Sequence, residues 1–252
     1  MRLNGKVVIV TGAARGIGQE YAVAAAREGA AVVAADMSDC GQTASLVEAA
    51  AGRVIAVKVD VASATSAADM ARHAMSAFGR IDGLVNNAAL YGQLKGGAFT
   101  GIDEQEWDAA MAVNVKGIWN CCKAAVPFMK EQAAGSVVNI TSLAATFGMP
   151  FRLHYTTSKA AVIGLTRGLA RELGRDGIRV NAVAPAAVLT EGTQEFFAGK
   201  MEKALDAIKN SQAIPRNLVP ADLAGTVIYL LSADSAFVTG QTLSVDGGTV
   251  MH

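Results

Sequence analysis

The sequence predicts an α/β domain of the doubly wound kind, a mostly parallel sheet covered by helices on both faces. Three observations carry that expectation. Short apolar runs alternate along the chain with longer segments of helical character, as strands buried on both faces do. The first run passes directly into a glycine-rich turn, Gly12-Ala-Ala-Arg15-Gly16-Ile17-Gly18. The residues with chemistry to offer stand just beyond the carboxyl ends of the runs, where open α/β sheets bind ligands.

Taken in order, Lys6-Val-Val-Ile-Val-Thr11 is a short apolar strand between Gly5 and Gly12. The turn opens a helix through about Glu28, which Gly29 stops, and Ala31 to Ala35 makes the next strand, ending at Asp36. Arg53 to Val59 reads as a third strand ending in Asp60-Val61, and Ser63 caps a helix to about Phe78. Asp82 to Asn86 is the fourth strand, followed by Asn87-Ala88-Ala89. One long helical region is expected from Asp103 to about Glu131, with Trp107, Asn114 and a Cys pair. Gly135 to Ile140 is the fifth strand, with Thr141-Ser142 just past it. A helix bearing Tyr155 runs to about Asp176, and Ile178 to Ala184 is the sixth strand. Ala221 to Leu231 is helical, and Gln241 to Val245 closes the series before Asp246-Gly-Gly. No linker, repeat or low-complexity stretch divides residues 1–252, so one domain is expected.

Composition narrows the function. Lys plus Arg and Asp plus Glu both number 22, and no basic stripe argues for nucleic acid or an anionic membrane. No apolar run approaches the roughly 18 residues of a membrane span, and Met1 to Lys6 leads straight into a strand without a signal sequence. Cys40, Cys121 and Cys122 are odd in number and read as reduced, packed thiols, so a cytoplasmic location is expected. His73, His154 and His252 lack metal-ligand spacing, and no metal is expected.

The first turn has a specific physical use. Backbone N–H groups at a helix N-terminus hold phosphate, and glycines let a pyrophosphate approach the main chain. An acid at the end of the second strand hydrogen-bonds the ribose of a dinucleotide, and Asp36 has the right distance from the glycines. Gly12, Asp36, Asp60, Asn87, Ser142 and Pro185 come from six strands and fall at one sheet edge. That convergence marks a site.

Tyr155-Thr-Thr-Ser158-Lys159 supplies the reaction chemistry. At i, i+4 on a helix, phenol and amine share a face. A nearby ammonium favours phenolate, and bringing a phenol of pKa about 10 near neutrality needs roughly 4 kcal/mol of differential interaction. An oxidised nicotinamide ring would be a second cation. The pair reads as a proton-transfer device for an alcohol or carbonyl.

Thr11-Gly12-x-x-x-Gly16-x-Gly18, Asp60-Val61, Asn86-Asn87-Ala88-Ala89, Asn114, Ser142, Tyr155-x-x-x-Lys159 and Asp246-Gly247-Gly248 together resemble the short-chain dehydrogenase/reductase family over essentially the full length. The resemblance implies a Rossmann-type fold with a seven-stranded sheet, a nicotinamide dinucleotide, and hydride transfer between alcohol and carbonyl. It implies a tetrad: Tyr155 as general acid/base, Lys159 lowering its pKa and holding the nicotinamide ribose, Ser142 orienting the substrate oxygen, and Asn114 keeping a water in the proton relay. Ile17, Met37, Val61, Ala88, Thr141, Val188 and Thr190 join Gly12, Gly16, Gly18, Asp36, Asp60, Asn87 and Pro185 around the cofactor. It also implies a homotetramer, with the helices around Trp107 and Leu165 and the last strand at the interfaces. Two positions depart from the family's commonest pattern: Ala89 and Ala186 each put a methyl group where glycine is usual, beside the cofactor path.

Cofactor choice rests on opposed residues. Asp36 repels a 2′-phosphate and favours NAD, while Arg15 is a phosphate partner in similar enzymes but is free to point to solvent. NAD is expected, with NADP kept open by Arg15. Residues 185–220 are expected to cover the substrate. Phe197, Met201, Leu205 and Ile208 form an apolar stripe there, read either as ordinary packing or as a lid. Tyr91, Leu94, Leu143, Ala144, Phe147, Leu153, His154 and Ala186 are the other residues expected near the carbonyl, with Arg152 as an exception to their apolar character.

A neutral, moderately hydrophobic secondary alcohol or ketone suits that lining, and the C-terminal third looks like the family's NAD-dependent aryl-alcohol branch. The alternatives are an NADPH-dependent 3-oxoacyl-acyl-carrier-protein reductase, which would want basic residues after the second strand, and a non-catalytic dinucleotide-binding protein, which the presence of Ser142, Tyr155 and Lys159 counts against.

Overall fold

The computed structural model describes residues 1–197 and 201–251, with the side chain of Met201 left out. The chain order is β1 (Val7–Thr11), α1 (Gly16–Arg27), β2 (Ala31–Asp36), α2 (Gly41–Ala49), β3 (Arg53–Lys58), α3 (Ala64–Phe78), β4 (Gly83–Asn86), α4 (Glu104–Met111), α5 (Gly117–Glu131), β5 (Gly135–Ile140), α6 (Ala144–Phe147), α7 (Leu153–Leu173), β6 (Ile178–Pro185), α8 (Glu191–Phe197), α9 (Met201–Ser211), α10 (Pro220–Leu231) and β7 (Thr242–Val245). The strands form one seven-stranded sheet in the order β3-β2-β1-β4-β5-β6-β7, and every pairing is parallel.

Strands buried on both sides explain the continuous apolar runs. Val7 and Ile9 of β1 face a core with Met70, Cys121 and Val162 from α3, α5 and α7. Val8 and Val10 face the opposite core, with Tyr21, Val47 and Leu223 from α1, α2 and α10. The three cysteines are buried and unpaired, and burial raises all three thiols, Cys122 to about 12.

The chain runs outward from β1 to β3, then returns to β4 on the other side of β1. The switch point between β1 and β4 opens a crevice at the carboxyl edge of the sheet. Asn87 locks the two strand ends together: its side-chain amide donates to the carbonyls of Thr11 at 3.1 Å and Gly12 at 3.0 Å, and the Thr11 hydroxyl accepts from the backbone of Asn87 and Ala88.

Two elements differ from expectation. The helix α2 was not anticipated; only Thr43 and Val47 of it are buried, too few for an apolar stripe. The long helix expected from Asp103 to Glu131 is interrupted by a π-helical turn at Ala112–Lys116. One extra residue in that turn places Asn114 inside the molecule, and such turns recur at functional sites. The segment expected to cover the substrate carries the helices α8 and α9, with Phe197 on the first and Leu205 and Ile208 on the second; residues 198–200 between them lie outside the described residues.

Candidate active site

A cavity of about 690 Å³ occupies the crevice, and Gly12, Asp36, Asp60, Asn87, Ser142 and Pro185 all line it. The six strand ends meet at one site as their positions in the sequence require. At the end beside β1, the cavity is walled by Gly12, Arg15, Gly16, Ile17, Gly18, Asp36, Met37, Asp60, Val61, Asn87, Ala88 and Ala89. The first turn of α1 carries no side-chain cap and no acidic residue, so its N–H groups are left for a ligand. The glycines are sterically required. A Cβ on Gly18 would lie 2.0 Å from the Gly12 carbonyl oxygen, and one on Gly12, where φ is +67°, would lie 2.8 Å from Ala88 Cα. A close backbone cradle with open N–H groups fits the pyrophosphate of a dinucleotide.

Asp36 stands at the end of β2. Its Oδ2 accepts from the Ala14 N–H at 3.0 Å and its Oδ1 from the Ser38 N–H at 2.9 Å. Arg15 is half exposed but paired. Its guanidinium donates to Glu191 Oε2 at 3.0 Å and to both carboxylate oxygens of Glu195 at 2.7 and 3.0 Å. The glycine turn is thereby tied to α8, and the carboxylates push the Arg15 pKa further up.

At the other end, Thr141, Ser142, Tyr155, Lys159, Pro185, Val188 and Thr190 line the same cavity. The helix α7 sets Tyr155 and Lys159 one turn apart on its buried side, with the Lys159 Nζ 5.9 Å from the centroid of the phenol ring. Lys159 donates to the Ile140 carbonyl oxygen at 2.9 Å, and its own carbonyl accepts from the Thr141 hydroxyl at 2.6 Å, anchoring α7 to the end of β5. Burial lowers the Lys159 pKa from the ordinary lysine value to about 8.

The phenol moves opposite to the sequence expectation. Burial, with Tyr91 as a secondary contributor, pushes the Tyr155 pKa up, and the Ser142 hydroxyl opposes it only in part. Lysine proximity alone does not offset desolvation of a buried phenolate.

Asn114 is fully buried beneath the cavity and is not among its walls; Val113 is. Its Oδ1 accepts from the Leu90 N–H at 2.7 Å, and its Nδ2 donates to the Leu90 carbonyl at 3.1 Å and to Ser158 Oγ at 3.0 Å. Ser158 in turn donates to the Tyr155 carbonyl at 2.8 Å, so the Asn114 side chain braces the loop after β4 against the turn that carries Tyr155.

Tyr91, Leu143, Ala144, Phe147, Ala186, Phe197 and Ile208, expected near the substrate, line the cavity. Leu153 does not: as the first residue of α7 it is 43% exposed and contributes no wall. Neither Leu94 nor His154 reaches the cavity; His154 is fully buried, with Nε2 3.3 Å from Glu106 Oε1. The Met201 side chain lies outside the described residues.

The residue the sequence reading passed over is Phe196. Its ring stacks on Tyr91 with centroids 4.3 Å apart and lies 5.7 Å from Tyr155, while the Arg152 guanidinium lies 4.2 Å from its centroid and donates to the Phe196 carbonyl at 2.7 Å. Phe196 is buried, while Phe197, the residue of the expected stripe, is only partly so. Phe196 is not itself a wall of the cavity; Met149, Glu191, Thr193, Glu195, Ser211 and Thr249 line it without having been singled out.

Comparison with known proteins accords with this geometry. Residues 12–250 match a family model described as enoyl-(acyl carrier protein) reductase, of the short-chain alcohol dehydrogenase type. A 3-oxoacyl-acyl-carrier-protein reductase FabG from Thermotoga maritima is 38% identical, over 100% of both chains. An uncharacterized oxidoreductase of Mycobacterium tuberculosis is 42% identical over 99% of both. Among solved structures, levodione reductase superposes with a TM-score of 0.93 at 30% identity, covering 98% of each chain.

Proposed function

The chain belongs to the short-chain dehydrogenase/reductase family, and on that premise we propose that it interconverts neutral, moderately hydrophobic secondary alcohols and ketones using NAD(H). Family membership makes it an NAD(P)-dependent oxidoreductase acting on CH–OH and keto groups. The observation that carries the finer reading is one continuous cavity. It joins the glycine cradle and Asp36 at one end to Ser142, Tyr155 and Lys159 at the other, where the walls are mostly apolar.

When bound, the dinucleotide supplies the hydride acceptor or donor. Protein side chains do the rest. Ser142 orients the substrate oxygen, and Tyr155 exchanges a proton with it: in reduction the phenolic O–H bond breaks as the new alcohol O–H forms, and oxidation reverses this. Lys159, fixed by the Ile140 carbonyl, presents its amine 5.9 Å from the centroid of the phenol ring and would hold the nicotinamide ribose. Asn114 holds the Tyr155 turn in place through Ser158. Burial of the phenol keeps Tyr155 protonated in the free protein, the form that ketone reduction needs.

NAD is the better fit because Asp36 stands at the ribose end, fixed by the Ala14 and Ser38 N–H groups, and Met37-Ser38-Asp39 adds no cation after it. A second reading, NADPH-dependent reduction of 3-oxoacyl thioesters, is favoured by the name and 38% identity of the Thermotoga maritima relative. We place the protein in the cytoplasm as a homotetramer. No described helix is long and apolar enough to cross a membrane, and Trp119 on α5 and Phe237 before β7 are exposed apolar groups of the kind that interfaces cover.

The test is turnover on a panel of aryl, cyclic and aliphatic secondary alcohols with NAD or NADP, beside 3-oxoacyl thioesters with NADH or NADPH. NAD-linked turnover of aryl or cyclic alcohols is expected. Activity confined to NADPH and 3-oxoacyl thioesters would replace this reading with the second.

A further inference from the structure

We propose that Glu191 and Glu195, on the helix that covers the substrate, set the cofactor preference against NADP by holding Arg15 away from the adenosine ribose. This rests on the reading that the cavity binds a nicotinamide dinucleotide.

Of the described residues lining the cavity, Arg15 and Lys159 are the cationic ones, and Lys159 is engaged with the Ile140 carbonyl at the catalytic end. Arg15 is therefore the group that could pair with a 2′-phosphate. Chain geometry places it well for that: the neighbouring Ala14 N–H is hydrogen-bonded to Asp36, the ribose-end acid. Yet the guanidinium turns from Asp36 to carboxylates 176 and 180 residues further along the chain.

Glu191 and Glu195 are at i, i+4 on α8, so their carboxylates share one face and close on the guanidinium together. Glu195 takes two guanidinium nitrogens in the paired geometry that arginine favours. A 2′-phosphate would have to displace both acids to gain Arg15, and would still face Asp36. The cavity mouth thus sets three carboxylates against one guanidinium. The side chain that ties down the substrate-covering helix is also the one withheld from the phosphate.

The experiment is fluorescence titration of NADH and NADPH into wild type, E191Q/E195Q and R15A/E191Q/E195Q. Glutamine keeps the length and helix propensity of glutamate and removes its charge. In E191Q/E195Q the NADPH Kd is expected to fall by roughly fivefold, the scale of exposed ion pairs, with the NADH Kd changed by less than about twofold. Because the pairs are solvent-exposed, the gain should shrink at about 1 M salt. It should disappear in the triple variant.

An unchanged NADPH Kd in E191Q/E195Q, beside normal NADH binding, would overturn this proposal alone. So would a gain that survives loss of Arg15, since the acids would then act by direct repulsion. Failure of wild type to bind either nucleotide would instead overturn the dinucleotide reading, and the proposal with it.

Discussion

Tyr155→Phe is expected to lower kcat by about a thousandfold, within the range for loss of a general acid/base, while leaving the NADH Kd within about twofold of wild type. The asymmetry follows from what the substitution removes. The Tyr155 ring packs with Tyr91 at 5.2 Å and Phe196 at 5.7 Å between centroids, and phenylalanine keeps both contacts. The backbone is equally untouched: its carbonyl still accepts from Ser158, which Asn114 braces. Only the hydroxyl goes, and with it the group that exchanges a proton with substrate. Initial rates and nucleotide titration on the same preparation separate the two effects. A variant with near wild-type kcat would require another proton donor in the cavity, and Ser142 is the side chain placed to be one.

Gly18→Ala is expected to weaken NADH binding by on the order of a hundredfold, as losing one or two charge-assisted backbone hydrogen bonds would, and to cost about 1–3 kcal/mol of stability through overpacking. The added methyl would lie 2.0 Å from the Gly12 carbonyl oxygen and 2.5 Å from Asn87 Nδ2. Neither neighbour can give way cheaply. Asn87 bonds both Thr11 and Gly12, so displacing it loosens the join between β1 and β4 as well as the cradle. Nucleotide titration and thermal unfolding of the variant check both parts. Wild-type affinity in Gly18→Ala would mean that the first turn of α1 does not hold the pyrophosphate.

Much of this was legible in the sequence, because it is written in local patterns. Strands buried on two faces must be continuously apolar, and a phosphate cradle must be glycine-rich. Strand-end residues such as Asp36, Asn87 and Ser142 therefore announced both sheet and site. What the sequence concealed depends on contacts between distant segments. No local signal shows that Arg15 will meet Glu191 and Glu195, because nothing near Arg15 specifies which acids α8 brings across the cleft. Phe196 was hidden because the apparent apolar stripe begins at its neighbour Phe197. The π-turn around Asn114 was hidden because one inserted residue leaves helical periodicity nearly intact. Leu153 was misplaced for a related reason: adjacency to Tyr155 in sequence is not adjacency in space, since successive helical residues point about 100° apart.

The direction of the Tyr155 shift links structure to catalysis most closely. In the free protein, burial raises the phenol; catalysis near neutral pH needs it lowered, and a cationic nicotinamide ring beside Lys159 is the charge that would do so. Linkage then fixes the sign: if NAD binds the phenolate form better, the Tyr155 pKa must fall when NAD binds. Phenolate absorbance, taken as wild type minus Tyr155→Phe between about pH 6 and pH 10, measures this with and without saturating NAD. The difference spectrum should show no phenolate in that window without NAD, and a titration within it when NAD is bound. An identical difference spectrum in both states would contradict Tyr155 as the cofactor-poised acid/base.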